Sequence, residues 1–138
     1  MLRVAVFDTN VLLSALFSLH GNAFRCLALA KMGVVQSVTC QEILQEFQGK
    51  LEGKFSYSTQ RARVAVDEVR QCSRLVTITH NLKVVVADPD DDKIVECAVV
   101  GGATHIVTGD RRHLLPMGSY QGISIISPAD FLKLPSQL

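Results

Sequence analysis

Residues 87–110 read ADPDDDKIVECAVVGGATHIVTGD. Four aspartates, Asp88, Asp90, Asp91 and Asp92, crowd the start of an expected amphipathic helix over Asp92–Val100. Its buried face is Ile94, Val95, Ala98 and Val99, which recur at helical spacing. Gly101 and Gly102 end it, and Pro89 sits just ahead of it, where a proline is tolerated. A short apolar strand, His105–Thr108, follows and stops at Gly109-Asp110. Acid, helix, strand, acid is a unit that brings two distant carboxylates to one edge of a sheet.

Working outward, the same alternation fills the chain. Leu2–Phe7 is a valine-rich apolar run bounded by Asp8-Thr9-Asn10, the pattern of a buried strand. Val11, Leu12, Ala15 and Leu16 form a helical stripe, and Ala23–Met32 a second helix closed by Gly33. Val34–Val38 reads as a strand. Thr39 then caps a helix with Glu42 at capping-box spacing, and Ile43, Leu44, Phe47 and Leu51 make that helix's apolar stripe. Glu46 lies at the edge of the stripe. Ser58-Thr59 opens a further helix through Val64, Val66 and Val69. Leu75–Thr79 is β-rich, and Val84–Val86 is an extended lead-in to the acidic run. Arg111–Leu115 forms one helical turn, Ser124–Ile126 a last strand, and Ser127-Pro128 opens a terminal helix over Phe131 and Leu132. Short apolar strands alternating with helices predict an α/β fold, a three-layer α/β/α sandwich with a central parallel sheet. No linker or repeat divides the chain, so residues 1–138 are expected to form a single domain.

The hydrophobic fraction of 48% supplies a packed core and excludes a disordered chain. Fourteen basic against 13 acidic residues leave a net charge of +1, so any surface for a polyanion must be local. Cys26, Cys40, Cys72 and Cys97 are scattered without a CxxC, which argues against a disulfide framework or a zinc site. No run has a signal-peptide layout or a membrane-spanning length, and a cytoplasmic protein with no membrane partner is the expectation.

In an open parallel sheet, ligands bind beyond the carboxyl ends of the strands. Asp8 follows the first strand directly, Asp110 follows His105–Thr108 by one glycine, and Asp92 begins a helix entered from the same side. Glu46 joins them from the border of its buried face. Clustered carboxylates repel one another, and burial worsens the cost. A hard divalent cation, Mg²⁺ or Mn²⁺, removes that cost and takes oxygen ligands. Arg111 and Arg112, next to Asp110, are candidates for holding substrate phosphates. Arg61, Arg63, Lys50 and Lys54 form a second basic patch, read as a solvated face. No aromatic platform for stacking bases is visible in the sequence.

At these residues the chain resembles the PIN domain nucleases. VFDTNVLLSAL matches that family's strand, Asp-Thr-Asn and helix, with Asp8 as first acid. EILQEF carries the second, Glu46, and DPDDDKIVECAVVGGATHIVTGD carries the third and fourth, Asp92 and Asp110. ISIISPADFL looks like the terminal strand and helix. The resemblance runs from Leu2 to about Leu132, and in detail it is to the small single-domain PIN proteins assigned as toxins of toxin–antitoxin pairs. It implies a ribonuclease in which Asp8, Glu46, Asp92 and Asp110 hold Mg²⁺ or Mn²⁺ and a metal-activated water hydrolyses the RNA phosphodiester. It implies supporting hydrogen bonds from Thr9, Asn10 and Thr108, a homodimer, and an antitoxin whose tail covers the acids.

Two other classes compete. One is a catalytically silent PIN-like module that binds RNA or protein; four filled acid positions argue against it. The other is a phosphotransfer enzyme of the haloacid dehalogenase type with Asp8 as nucleophile. That chemistry wants an aspartate two residues on, where this chain has Asn10.

Overall fold

A computed structural model describes residues 2–85 and 88–135. Strands β1 (Arg3–Phe7), β2 (Val35–Cys40), β3 (Ser73–Val76), β4 (His105–Val107), β5 (Ser119–Tyr120) and β6 (Ile123–Ile126) form one sheet in the order β3-β2-β1-β4-β6-β5. All neighbours pair in parallel except β5 and β6. Helices α1 (Thr9–Phe17) and α2 (Asn22–Lys31) connect β1 to β2, and α3 (Gln41–Gly53) with α4 (Thr59–Gln71) connects β2 to β3. The chain then crosses back over the sheet through α5 (Asp92–Val100) to β4, and α6 (Pro128–Leu132) closes the fold. Right-handed crossovers put α1–α4 on one face and α5 on the other. The expected α/β/α sandwich is therefore present, with a mostly parallel sheet.

The core follows most of the stripes in the sequence, but Val99, expected on the buried face of its helix, and Val64 are exposed. Val6, Ile43, Leu44, Phe47, Ile94, Val95, Ala98 and Ile106 are each at most 1% exposed. The four cysteines are free, and Cys26, Cys40 and Cys97 are buried among these side chains. No single helix among the described residues is long and apolar enough to cross a membrane.

Several local expectations are corrected. β2 runs to Cys40, so Thr39 is a buried strand residue paired with Leu75 and does not cap α3; its hydroxyl makes no hydrogen bond. The parallel ladder holds Thr39 extended, and Cys40 stands at the helix start without a side-chain cap. β3 begins and ends earlier than the β-rich run suggested, at Ser73–Val76. Val84 and Val85 are not in a strand, and Val86 lies outside the described residues. The helical turn expected at Arg111–Leu115 is a turn followed by a short 3₁₀ segment at Leu115–Met117. β5 was not anticipated. It is two residues long and joins β6 through Gln121-Gly122, both with positive φ (48° and 80°), the signature of a tight primed hairpin turn.

Gly101 ends α5 against the sheet. A Cβ there would lie 2.5 Å from Val38 Cγ1, and Val38 is fully buried in β2. Gly101→Ala is expected to cost about 1–3 kcal/mol by overpacking. A melting temperature equal to that of the wild type would show that α5 can lift off β2 without penalty.

Candidate functional site

β1 and β4 are neighbours, but the chain leaves them in opposite directions across the sheet. That reversal opens a crevice at their carboxyl ends. Asp8 sits at its floor. The Asp8 N–H donates to the Val107 carbonyl of β4 (3.0 Å), and the Asp8 carbonyl accepts from Val11 and Leu12 at the start of α1 (2.9 and 3.1 Å). The side chain is 5% exposed, and Oδ2 accepts from Thr108 Oγ1 at 2.8 Å. Burial pushes the Asp8 carboxyl above its ordinary range, and the charges of Glu46 and Asp110 add to that. The Thr108 hydroxyl and the Thr9 amide oppose the rise without cancelling it.

Thr108, fully buried, joins two acids. Its Oγ1 donates to Asp8 and accepts from the Asp110 N–H at 3.0 Å. Asp110 then folds the next turn around its own carboxylate. Oδ1 accepts from the Arg112 and His113 amides (3.0 and 3.2 Å) and Oδ2 from Leu114 (3.2 Å). Burial works against the charge, but these amides and a hydrogen bond from the Asp91 carboxyl hold Asp110 below its usual range.

The third acid in the crevice is Asp91. Burial, then the charges of Asp8, Asp88 and Asp110, then the hydrogen bond with Asp110, push its pKa up to about 7. Asp92, the acid singled out from the sequence, is turned elsewhere. It is 7% exposed, and Oδ1 accepts from the Val84 and Val85 amides (3.0 and 2.7 Å). Successive residues on a helix point about 100° apart, so one of the two acids faces the crevice and the other the incoming loop.

Glu46 reaches the rim from α3. Its Oε2 pairs with Lys93 Nζ at 3.0 Å, while Lys50, one turn on along α3, donates to Asn10 Oδ1 at 3.3 Å. Burial raises the Glu46 pKa, but the neighbouring Thr9 hydroxyl and the Lys93 and Lys50 ammonium groups outweigh it and hold the carboxyl low. Thr9 itself is 1% exposed, and its Oγ1 makes no well-formed hydrogen bond among the described residues. Arg111 and Arg112 point outward from the Asp110 turn and are exposed.

Two further groups, Asp88 and His113, enter the crevice. His113 Nδ1 lies 3.7 Å from an Oδ2 of each of Asp88, Asp91 and Asp110. Asp88, Asp91 and His113 each present a ligand atom, all within 4.8 Å of one another, a spacing that can hold a metal ion. The signal for His113 was its position three residues after Asp110, which returns it to the same turn.

A profile of the family described as PIN domain matches residues 4–112. Comparison with curated proteins finds no match. The fold is similar to VapBC2 from Rickettsia felis, solved bound to a DNA fragment from their promoter, at 14% identity and a TM-score of 0.61, covering 90% of this chain and 98% of that one. It is similar to PAE2754 from Pyrobaculum aerophilum at 14% identity and a TM-score of 0.61, covering 96% of this chain and 88% of that one.

Proposed function

Because the chain belongs to the PIN domain family, we propose that it is a divalent-metal-dependent ribonuclease whose centre is Asp8, Asp91 and Asp110, with Glu46 at the rim. The observation that carries this reading is the convergence of Asp91 with Asp88 and His113, their ligand atoms within 4.8 Å of one another, beside Asp8 and Asp110, whose charges add to burial in pushing the Asp91 carboxyl up to about 7. Such a site stores repulsion that a cation relieves. The donor set, carboxylate oxygens on Asp8, Asp88, Asp91 and Asp110 with the His113 imidazole beside them, suits Mg²⁺ or Mn²⁺. When bound, the ion supplies positive charge against the phosphoryl group and lowers the pKa of a nearby water.

The protein's own residues do the rest. The Thr108 hydroxyl fixes the Asp8 carboxylate, and the 112–114 amides fix that of Asp110, so neither turns when substrate arrives. Arg111 and Arg112 stand next to Asp110 to take an RNA phosphate. Lys93 neutralises Glu46 and keeps the rim from repelling a polyanion. The resemblance to small PIN toxins extends the proposal to a homodimeric toxin restrained by an antitoxin.

Labelled RNA incubated with Mn²⁺ or Mg²⁺ is expected to be cut. Chelation or Asp8→Asn is expected to abolish the cutting. Cleavage that survives both would come from something other than this crevice. RNA binding with no metal-dependent cutting would leave a silent binding module.

A further inference from the structure

Resting on the nuclease reading, we propose that single-stranded RNA bound at the crevice stacks its bases on exposed Phe17 and Phe55, backed by half-buried Tyr57. Phe17 is distant in sequence from Phe55 and Tyr57, and the three meet at the far end of α1. The Phe17 and Phe55 rings are 4.5 Å apart and tilted by 40°, and Tyr57 stands edge-on to Phe17 at 6.0 Å. Phe17 is 46% and Phe55 38% exposed, so ring surface is left to solvent where the core had room for neither. Between Phe55 and Tyr57, Ser56 adopts a φ of 59°, a left-handed conformation that a serine rarely takes. That backbone is held on both sides, by the Tyr57 N–H to the Leu51 carbonyl (2.9 Å) and by Ser58 capping α4 through the Arg61 amide (3.1 Å).

Charge names the ligand. Lys54 Nζ lies 5.7 Å from the Phe55 ring centroid, and the Arg61 guanidinium lies over Tyr57 at 4.0 Å. Lys50, one helical turn before Lys54, touches Asn10 beside the crevice. A line of cations therefore leads from the acids to the rings. Glu52 is the acid at this helix end, and Gln48 (2.8 Å) and Thr59 (3.0 Å) take up its carboxylate. α1 spans about 12 Å from Thr9 to Phe17 at roughly 1.5 Å per residue, the length of about three to four stacked nucleotides at roughly 3.4 Å each. Cations for the backbone and ring faces for the bases are what a single strand requires, and a duplex, whose bases are already stacked, cannot use the rings.

The test measures anisotropy of a labelled single-stranded RNA of roughly twelve nucleotides, with EDTA present so that nothing is cut, on the full chain. Phe17→Leu and Phe55→Leu keep apolar volume and lose the ring face. Each is expected to weaken single-strand binding about 5- to 20-fold, to leave duplex binding as it was, and to leave the melting curve unchanged. Affinities equal to the wild type, no measurable binding by the wild type, or a loss confined to self-association in sedimentation would each overturn the platform, the last making it a face for a second copy. Ring-dependent RNA binding without Mn²⁺-dependent cutting would sink the nuclease reading and leave the platform standing. Cutting with affinity undiminished in the double variant would do the opposite.

Discussion

Asp91→Asn is expected to lower metal-dependent RNA cleavage on the order of 10³-fold while leaving the metal-free protein at least as stable as the wild type. The two halves have one cause. Asp91 is taken out of water by burial and crowded by the charges of Asp8, Asp88 and Asp110, and together these push its pKa up to about 7 from 3.8. Between those values the folded protein holds a proton that the unfolded chain has released, so stability falls as pH rises through the window. Asparagine keeps the shape and removes the charge, and the slope between about pH 4 and 7 should flatten. In the wild type, Mn²⁺ should raise the melting temperature most at and above pH 7, where Asp91 has lost its proton. In the variant that shift should shrink. Asp92→Ala should behave in the reverse sense: it frees the Val84 and Val85 amides, at about 1–3 kcal/mol for each one left unsatisfied. Folded Asp92→Ala should still bind the ion. If Asp92→Ala abolished the Mn²⁺ shift and Asp91→Asn kept it, the crevice would be built around the other acid.

The contrast between these neighbours shows what the sequence carried and what it did not. Asp8 and Asp110 were legible because each follows a strand closely. At the carboxyl end of a parallel strand the fold leaves little choice of where a side chain goes. The third acid depended on phase. Counting back from Ile94 and Ala98 at the α-helical period selects Asp92 as the inward residue, and it is inward. But Pro89–Asp91 form a 3₁₀ turn ahead of the helix, and inward at that point means toward the loop at residues 77–85. The crevice to which we assign the metal lies on the next face round, on the side of Asp91.

Elsewhere the limit was length and partner choice. Apolar stripes such as Ile43, Leu44, Phe47 and Leu51 are self-announcing because each helix repeats them. Two-residue β5 has no stripe; it exists because Gln121-Gly122 can turn the chain back on β6. The aromatic platform was invisible for a related reason. Phe17 and Phe55 are thirty-eight positions apart by their numbers, and only the packing of α1 on α3 brings their rings together.

Glu96→Ala is expected to be the most destabilising of the changes considered, at about 3–5 kcal/mol. Glu96 is 5% exposed, one helical turn after Asp92 on α5. Its Oε2 accepts from the Thr79 amide (2.6 Å), the Thr79 hydroxyl (3.2 Å) and the His80 amide (3.0 Å), and Oε1 accepts from the Leu82 amide (3.1 Å). These donors belong to a segment with no strand or helix to satisfy it, so the carboxylate stands in for a missing sheet neighbour. Burial raises the Glu96 pKa, yet the Leu82, Thr79 and His80 donors win and hold it below the usual 4.5. A depressed folded value means the stabilisation is present above the unfolded pKa and drains away as pH falls through the folded one. Wild-type protein should therefore lose stability on acidification in a way that Glu96→Ala does not. Glu96→Gln retains one accepting oxygen but turns an amide NH₂ toward backbone donors, and it should fall between the two. The same segment delivers Val84 and Val85 to Asp92 and leads into Asp88 and Asp91. Loss of Glu96 should then weaken Mn²⁺ binding even where the sheet survives. Hydrogen exchange at residues 79–85 would separate the outcomes: fast exchange in Glu96→Ala with β1 and β4 still protected is the expected pattern. Protection at 79–85 equal to the wild type would mean that something other than this carboxylate holds the loop.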